Sequence, residues 1–297
     1  MLKSVSGAPP VRLAIIGAGV MGRNHLRVAK LMGIEIAGIA DVNTQQARDI
    51  AGEFGVDVLT NLHDLDAAVI AVPTAVHGIM AFPLLQDGVH CLVEKPFASN
   101  ESECRRLIEA AAIGGAVLQV GHIERFNPAM EALAGHAINP AHMTALTARR
   151  MGPASARITD VSVVADLMVH DLDAILALKP VAVTGVEANG GRDHAEAKLT
   201  FADGAVANLT ASRTSSERIR DLAIDTVHGR YHLDYLTRSL TARGQPAEVF
   251  AGDALGAQLK HFMGSIAAKS LPRVTGEAAL EVMKLAWRIE AALGLQV

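Results

Sequence analysis

IIGAGVMGRNHLRVAKLMGIEIAGIAD, residues 15–41 of a 297-residue chain, joins an apolar strand, a glycine-rich turn, a helix, a second apolar strand and a terminal acid. Gly17, Gly19 and Gly22 have the Gly-x-Gly-x-x-Gly spacing that dinucleotide-binding βαβ units place between the first strand and the helix. The first glycine allows a sharp turn, the second admits a pyrophosphate, and the third lets the helix pack on the strand. The stretch therefore predicts a dinucleotide-binding unit.

Asp41 ends the second apolar run, 19 residues after Gly22. A carboxylate at this place accepts hydrogen bonds from the adenosine ribose of NAD and repels the additional phosphate of NADP. The next three residues, Val-Asn-Thr, contain no arginine that would neutralise this phosphate. The sequence therefore favours NAD, while Arg23 and Arg48 are near enough along the chain to leave NADP open.

Composition restricts the class of protein. The formal charge of −4 and the lack of a long Lys/Arg run predict no nucleic-acid partner. The first residues, MLKSVSGAPPVRL, lack the apolar segment of a signal peptide, and no run approaches the ~18 apolar residues of a membrane span. With two cysteines and no CxxC spacing, we expect reduced thiols, a cytoplasmic location and no membrane insertion.

Apolar runs and helical patterns alternate over about the first 120 residues, which is typical of a Rossmann-type, doubly wound parallel sheet in an α/β domain. Hydrophobic residues make up 50% of the chain but aromatic residues only 3%, so small aliphatic side chains must form closely packed helix-on-sheet layers. After the second strand, the expected strands are Val56–Leu59, Ala67–Val72, His90–Glu94 and Val117–Val120.

Longer runs of alternating polarity follow, and they predict an α+β domain with a mostly antiparallel open sheet and one well-marked helix, Val163–Leu178. The expected boundaries are 1–121 for the dinucleotide-binding domain, 122–275 for the α+β domain, and 276–297 for a C-terminal helix that packs on the first domain. The expected strands of the second domain are Thr144–Arg149, Ala182–Ala188, Ala195–Phe201, Ala205–Ser212, Arg220–His228 and Arg230–Asp234.

Glu94-Lys95-Pro96 follows a strand of the parallel sheet, at the edge where such sheets bind ligands. Pro96 restricts the backbone, so Lys95 would project from a rigid strand end toward a nicotinamide and its substrate. A lysine held there can donate a hydrogen bond to a substrate hydroxyl, and partial burial would lower its pKa toward a range useful for catalysis. A solvated loop lysine explains the same position equally well.

Asp166 and His170 are one helical turn apart in VVADLMVHDLD, residues 163–173, so they lie on one face. In one interpretation Asp166 orients His170, which takes the hydroxyl proton of an alcohol while the hydride on the same carbon goes to a nicotinamide. In the other, Asp166, His170 and Asp173 form a solvated face opposite an apolar one. Periodicity alone favours neither.

GHIERFNP, residues 121–128, joins the two expected domains and carries three ionisable side chains. These can line a cleft or form salt bridges between domains. Asn127 and Pro128 suit the N-cap and first position of a helix. A basic group that can clamp phosphates, or form a solvated strand end, follows Ser212 and consists of Arg213, Arg218 and Arg220.

Metal and covalent chemistry have weaker signals. Possible metal ligands are present at His122, Asp166, His170 and Asp171, but the chain has no HExxH motif and no Cys/His pair at zinc spacing. No GxSxG turn or Cys/His constellation indicates a covalent nucleophile. We therefore expect no metal.

Four motifs in sequence order make nearly the whole chain resemble the Gfo/Idh/MocA oxidoreductase family: Gly17-Ala-Gly-Val-Met-Gly22, Ala71-Val-Pro-Thr74, Glu94-Lys-Pro96 and Asp166-x-x-x-His170. The resemblance implies a Rossmann domain, an α+β domain whose open sheet serves oligomerisation, and NAD(P)-dependent oxidation or reduction of sugar or cyclitol hydroxyls. It implies a catalytic set of Lys95, Asp166 and His170, with His170 as the acid/base. The implied cofactor contacts are Gly17, Gly19, Val20, Met21, Gly22, Asp41, Val72, Pro73, Thr74, His77, Glu94 and Lys95.

Three stretches narrow the resemblance: GHIERFNPA at 121–129, DLMVHDLD at 166–173 and NLTASRTSSERIR at 208–220. They are similar to family members that oxidise the 3-hydroxyl of UDP-N-acetylglucosamine to a ketone, which an aminotransferase uses for a diamino sugar of lipid A. This resemblance implies a homo-oligomer, dimer or tetramer, and gives no role to His232. A dehydrogenase of a free sugar or cyclitol such as inositol, and a non-catalytic NAD-binding regulator, are alternatives. The implied substrate contacts are Lys95, Glu124, Arg125, Asn127, Arg213 and Arg218.

Overall fold

Two compact units make up the structure, a computed structural model that describes residues 11–153 and 161–295. One unit comprises Met1–His122 and Leu255–Leu280, and the other comprises Ile123–Ala254 and Glu281–Val297. The segment Leu255–Leu280 thus groups with the N-terminal unit, whereas the sequence-based boundaries assign most of it to the second domain.

The first unit is built on a five-stranded parallel sheet with the strand order β2-β1-β3-β4-β5. All residues of β1 and β3 are buried, as expected for strands covered by helices on both faces. This confirms the predicted parallel α/β sheet. The strands are β1 Leu13–Ile16, β2 Ile36–Ala40, β3 Ala67–Ile70, β4 His90–Val93 and β5 Leu118–Val120. The N-terminal helices are α1 Val20–Met32, α2 Thr44–Phe54, α3 His77–Gln86 and α4 Glu101–Gly114.

The strand expected at Val56–Leu59 is reduced to a single parallel bridge between Val58 and Ile39 of β2. Two hydrogen bonds hold it, from Ile39 N to the oxygen of Asp57 (2.9 Å) and from Leu59 N to the oxygen of Ile39 (2.8 Å). The pairing stops there because a polar, largely exposed segment follows Leu59. The prediction of a full strand was therefore wrong, although the segment lies beside β2, where the third strand of a Rossmann sheet is found.

The second unit contains an eight-stranded sheet in the order β13-β12-β11-β10-β6-β9-β8-β7. Strands β6 and β9 pair in parallel and the other neighbours are antiparallel, which confirms the predicted mostly antiparallel sheet. The strands are β6 Met143–Met151, β7 Val183–Gly190, β8 His194–Phe201, β9 Val206–Ser212, β10 Ile219–Thr226, β11 Gly229–Asp234, β12 Ser239–Ala242 and β13 Glu248–Val249. The remaining helices of the chain are α5 Pro128–Gly135, α6 Val169–Leu178, α7 Ala254–Ala268 and α8 Gly276–Ala292.

Helix α7 was not predicted from the sequence. A signal was present, because Leu255, Leu259, Phe262 and Ile266 are buried and recur at helical spacing. The buried Gln258 and two glycines interrupt this pattern. The short strands β12 and β13 were also missed, since two to four residues carry little periodicity. Among the helices that the structure describes, none is both long and apolar enough to cross a membrane.

Candidate active site

The glycine turn after β1 has the close packing that its spacing predicts. Gly17 has a φ of +105°, and a Cβ atom on it would collide with the carbonyl oxygen of Ala71, just after β3. A Cβ on Gly22 would collide with the carbonyl oxygen of Gly17, so helix α1 can approach the strand only if this residue is glycine. The turn therefore lies where β1 and β3 diverge in strand order, which is the ligand-binding edge of such a sheet.

The start of helix α1 fits a pyrophosphate. Gly19 is the N-cap and supplies no side-chain hydrogen bond, and the space around its Cα is open, with no atom within 4 Å of where a Cβ would lie. The first intrahelical bond is donated by Arg23 N to the oxygen of Gly19 (3.0 Å). The N–H groups before Arg23, which include those of Val20 and Met21, therefore point out of the helix start as an anion site requires.

Asp41 is half-buried directly after β2, and its carboxylate is fixed beside the glycine turn. One oxygen accepts a hydrogen bond from Ala18 N (2.6 Å), and the other accepts one from Asn43 N (2.7 Å). Each oxygen keeps a lone pair for a ribose hydroxyl. Of the two arginines that left NADP open, Arg23 pairs with Glu53 at 2.5 Å. Arg48 donates to Thr44 Oγ1 at 3.3 Å. These contacts support the preference for NAD.

The loop after β3 is joined to the loop after β4 by His77. Pro73 leads into a 3-10 turn, Thr74–Val76, and His77 then opens helix α3. The His77 ring is buried, with Nε2 3.0 Å from the oxygen of Val72 and Nδ1 2.9 Å from the oxygen of Pro96. Burial lowers the pKa of this histidine. A neutral imidazole has one N–H, so the ring donates to one of these oxygens and packs against the other, between two loops of the predicted cofactor site.

Glu94 and Lys95 follow β4 as predicted, and the structure adds a partner that the sequence analysis missed. Glu94 is buried, and its Oε1 lies 2.7 Å from Nε2 of His25, a fully buried residue of helix α1. Burial alone would raise the pKa of Glu94, but His25 and Lys95 together hold it below its ordinary value. Lys95 itself is half-buried, and its peptide bond to Pro96 is cis. The sequence did contain a signal for this partner: His25 lies on the apolar stripe of α1, three residues after Gly22, where a histidine needs a polar contact.

In the second unit, the segment with the predicted acid/base begins as a π-helix, Val164–Met168, and continues as α6. Asp166 lies in the π-helix and is 4% exposed, His170 lies in the first turn of α6 and is half-buried, and Asp173 is 2% exposed. The interpretation of these residues as a solvated face was therefore wrong. Short π-helical segments occur frequently at functional sites.

Arg213 is buried beside Asp166, so a solvated strand end does not describe it. Its Nε donates to Asp193 Oδ1 (2.7 Å), its Nη2 donates to the oxygen of Val161 (2.8 Å), and its Nη1 is 3.9 Å from Asp166 Oδ2. Arg218, by contrast, is exposed. Of the three arginines in the predicted phosphate clamp, Arg213 is thus anchored, the side chain of Arg218 reaches solvent, and Arg220 is half-buried.

Glu124 and Asn127, both predicted substrate contacts, are buried and bonded to protein groups. Arg150 donates to Glu124 Oε1 (2.8 Å) and makes a two-pronged contact with Asp171 at 2.8 and 3.0 Å. These two acids raise the pKa of the Arg150 guanidinium although burial alone would lower it. Asn127 caps α5 by accepting from Ala129 N (3.1 Å), as its place before Pro128 predicts, and donates to Glu124 Oε2 (3.2 Å).

Arg125 is the third predicted substrate contact in this segment. Its Nη1 is 3.4 Å from Oδ1 of Asp173. Burial raises the pKa of Asp173 to about 7, an effect that Arg125 only partly offsets. The pair therefore contains a carboxyl group that can exchange a proton near neutral pH.

The predicted catalytic side chains belong to different units, Lys95 to the first and Asp166 and His170 to the second. Hydrogen bonding and proton transfer are the chemistry that these residue types offer to an alcohol. Within 11–153 and 161–295, no group of three or more His, Cys, Asp or Glu residues is arranged to hold a metal ion.

Comparison with known proteins identifies the family. Residues 11–122 match the model of the Gfo/Idh/MocA oxidoreductase family with an NAD-binding Rossmann fold. UDP-N-acetylglucosamine 3-dehydrogenase of Acidithiobacillus ferrooxidans is 32% identical over an alignment that covers 95% of this chain and 97% of that enzyme. The chain belongs to the Gfo/Idh/MocA family. As a member, it is an NAD-binding oxidoreductase, and the glycine turn lies within the matched residues.

Solved structures agree with this fold. A structure of the A. ferrooxidans enzyme superposes with a TM-score of 0.91, at 32% identity, over 96% of this chain and 98% of that one. Levoglucosan dehydrogenase in complex with NADH and levoglucosan has a TM-score of 0.85 over 96% of this chain and 98% of that one, but its 17% identity supports the fold alone. The scyllo-inositol 2-dehydrogenase (NAD(+)) of Bacillus subtilis is 28% identical over 69% of this chain and 68% of that enzyme.

Proposed function

We propose that this protein oxidises the 3-hydroxyl of UDP-N-acetylglucosamine to a ketone, with NAD as the hydride acceptor. One observation carries the proposal: a 3-dehydrogenase of this nucleotide sugar aligns with 95% of the chain at 32% identity, so both units are shared. The Rossmann unit supports the cofactor, since its helix start suits a pyrophosphate and Asp41 suits an unphosphorylated ribose.

The cofactor is held by the first unit in this proposal. The N–H groups at the start of α1 bind its pyrophosphate, and Asp41 accepts hydrogen bonds from its adenosine ribose. NAD supplies one thing to the reaction when bound, a nicotinamide carbon that accepts hydride. The loops with Val72, Pro73 and Thr74 and with Glu94 and Lys95, which His77 joins, form the rest of the cofactor site.

His170 is the general base in the proposed reaction. Its Nδ1 atom is buried and its side chain is half-exposed, so Nε2 is the nitrogen that takes the proton of the 3-hydroxyl as the hydride leaves the same carbon. Asp166 stabilises the resulting imidazolium, and Arg213 Nη1 lies 3.9 Å from Asp166 Oδ2. Lys95 donates a hydrogen bond to the 3-oxygen.

Substrate contacts from Glu124, Arg125, Asn127, Arg213 and Arg218 are the less direct part of the proposal. Because Arg213 already bonds Asp193 and Val161, the exposed Arg218 is the better candidate for the diphosphate. We further propose that the protein forms a homo-oligomer, a dimer or tetramer, through its open sheet. We propose that it is located in the cytoplasm. The next enzyme in this proposal is an aminotransferase, which uses the ketone to make a diamino sugar of lipid A.

A dehydrogenase of a free cyclitol is the second candidate. The observation that favours it is the 28% identity to the scyllo-inositol 2-dehydrogenase of B. subtilis over 69% of this chain. A cyclitol has no diphosphate, so this function would leave Arg218 without a role in substrate binding. Replacing Arg218 therefore separates the two candidates.

The experiment follows NADH absorbance with UDP-N-acetylglucosamine, free N-acetylglucosamine and myo-inositol as parallel substrates. We expect UDP-N-acetylglucosamine to be oxidised far better than the free sugar, with a product lighter by two hydrogen atoms. A ketone-consuming aminotransferase keeps the reaction moving, because oxidation of an alcohol by NAD is uphill. Arg218→Ala should impair only the nucleotide-sugar reaction, and ready oxidation of inositol with no activity on any UDP-sugar would overturn the proposal.

A further inference from the structure

His25 is a histidine buried in the apolar stripe of helix α1, and its side chain makes one hydrogen bond. Nε2 lies 2.7 Å from Oε1 of Glu94, while Nδ1 is buried and has no hydrogen-bond partner among the residues that the structure describes. Burying an unpaired ring nitrogen costs free energy that an aliphatic residue in the same stripe would avoid. The contact with Glu94 is therefore what this position gains from a histidine.

Glu94 is in turn packed against the segment that carries Lys95. Its Oε2 accepts a hydrogen bond from Lys95 N (3.3 Å), and its backbone N–H donates to the oxygen of Ile70 at the end of β3 (3.0 Å). A Cβ on Gly121, at the end of β5, would lie 2.9 Å from Glu94 Oε2 and 3.0 Å from Glu94 Cα. Glu94 thus lies between α1 and the end of β5, where only a residue without a side chain leaves room for it.

A second buried histidine holds the other side of Lys95. Nδ1 of His77 is 2.9 Å from the oxygen of Pro96 and 3.3 Å from the oxygen of Phe97, and Nε2 is 3.0 Å from the oxygen of Val72. The four residues from Glu94 to Phe97 are therefore fixed at one end by α1 and at the other by the start of α3. The Lys95 backbone is restrained on both sides, while its side chain is half-buried.

We propose that His25 is a positioning residue for Lys95, acting through Glu94. The helix whose N-terminus suits the cofactor pyrophosphate also carries, one turn further on, the group that sets the backbone of the lysine. Pyrophosphate binding and lysine placement then depend on the same rigid helix. The proposal rests on the proposed role of Lys95 in catalysis.

The test replaces His25 by Leu, which fills the stripe, and by Gln, which keeps an N–H donor. Misplacing a catalytic group by about 1 Å typically lowers the rate by about 100-fold. We expect His25→Leu to lower kcat by about 10- to 100-fold with the NAD dissociation constant within about 3-fold of wild type. His25→Gln should recover part of the loss. His90→Leu is the matched control, because His90 is a partly buried histidine at the opposite end of β4.

A double-mutant cycle decides whether His25 acts through Glu94. We expect the kcat of His25→Leu/Glu94→Gln to be no lower than that of Glu94→Gln alone. Once the Glu94 carboxylate is absent, the loss of His25 has no carboxylate left to displace. Additive losses of kcat, or an unchanged kcat in His25→Leu, would overturn the proposal. These rates are measured with whichever substrate the wild type oxidises. If the wild type does not oxidise UDP-sugars, that result contradicts the proposed function but leaves the role of His25 to be tested with another substrate.

Hydrogen exchange measured by mass spectrometry tests the restraint without any turnover. We expect the peptide that contains Glu94–Phe97 to lose protection in His25→Leu and to keep it in His90→Leu. Unchanged protection in His25→Leu would overturn the inference even for a protein without detectable activity.

Discussion

Replacing Asp41 by Ala tests how this chain distinguishes NAD from NADP. The Asp41 carboxylate accepts hydrogen bonds from Ala18 N at 2.6 Å and from Asn43 N at 2.7 Å, so it is held in place before any cofactor binds. A preorganised carboxylate binds ribose hydroxyls without a further ordering cost. The same fixed charge cannot move away from a phosphate on that ribose.

The size of the effect follows from charge and distance. Two unit charges ~5 Å apart repel by ~3 kcal/mol at an effective dielectric constant of ~20, and partial exposure of Asp41 reduces this to ~1.5–3 kcal/mol. Because each ~1.4 kcal/mol is tenfold in affinity, wild type should bind NAD about 10- to 100-fold more tightly than NADP. Asp41→Ala removes the repulsion together with the ribose bonds, so NAD affinity should fall and the ratio should approach about 3 or less.

Isothermal titration calorimetry at one ionic strength measures both dissociation constants. Asp49→Ala is the matched control, since Asp49 is an exposed acid of α2 whose loss changes the net charge equally. The control should keep the preference for NAD. Equal affinities for NAD and NADP in the wild type, or an unchanged ratio in Asp41→Ala, would refute the reasoning from Asp41.

Three other substitutions have defined outcomes. His170→Ala should lower turnover by about 100-fold or more with NAD affinity nearly intact, and near-normal turnover in stopped assays at neutral pH would make Lys95 the candidate base. Gly22→Ala should abolish NAD binding in the same calorimeter, because its Cβ collides with the carbonyl oxygen of Gly17; wild-type affinity would show that the turn relaxes. Burial raises the pKa of Asp173 to about 7, so its contribution to stability is present at low pH and is lost as the pH rises through the folded-state pKa. The difference in the free energy of unfolding between Asp173→Asn and wild type, measured by urea unfolding, should therefore shift in favour of the variant from about pH 5 to about pH 8. An equal difference at both pH values would contradict this.

Local patterns predicted the elements that position the site. The positions of Gly17 and Gly22 predict close backbone packing at the turn, because a Cβ atom on either residue would collide with backbone atoms. Asn127 caps α5, as its place before Pro128 predicts. The helix cap and the contact of Gly22 with Gly17 depend on a few neighbouring residues, so the sequence contains the information directly; the contact of Gly17 with Ala71 is distant, but the glycine spacing predicts it.

Features that depend on distant partners were harder to predict. Asp166 and Asp173 have the periodicity of a solvated face, yet both are buried because Arg213 and Arg125, more than 40 residues away along the chain, lie beside them. His25 is separated from Glu94 by 69 residues. No local pattern reports such contacts, although a histidine on an apolar stripe was a sign that one existed.

Oxidation of UDP-N-acetylglucosamine labelled with deuterium at carbon 3 tests the central claim most directly. The assay measures by mass spectrometry which molecule carries the label after turnover with NAD. The account predicts that the reduced cofactor gains the deuterium while the nucleotide sugar loses it and becomes a ketone. Deuterium retained in an oxidised sugar would contradict the 3-position, and the absence of reduced cofactor with every UDP-sugar would contradict the substrate.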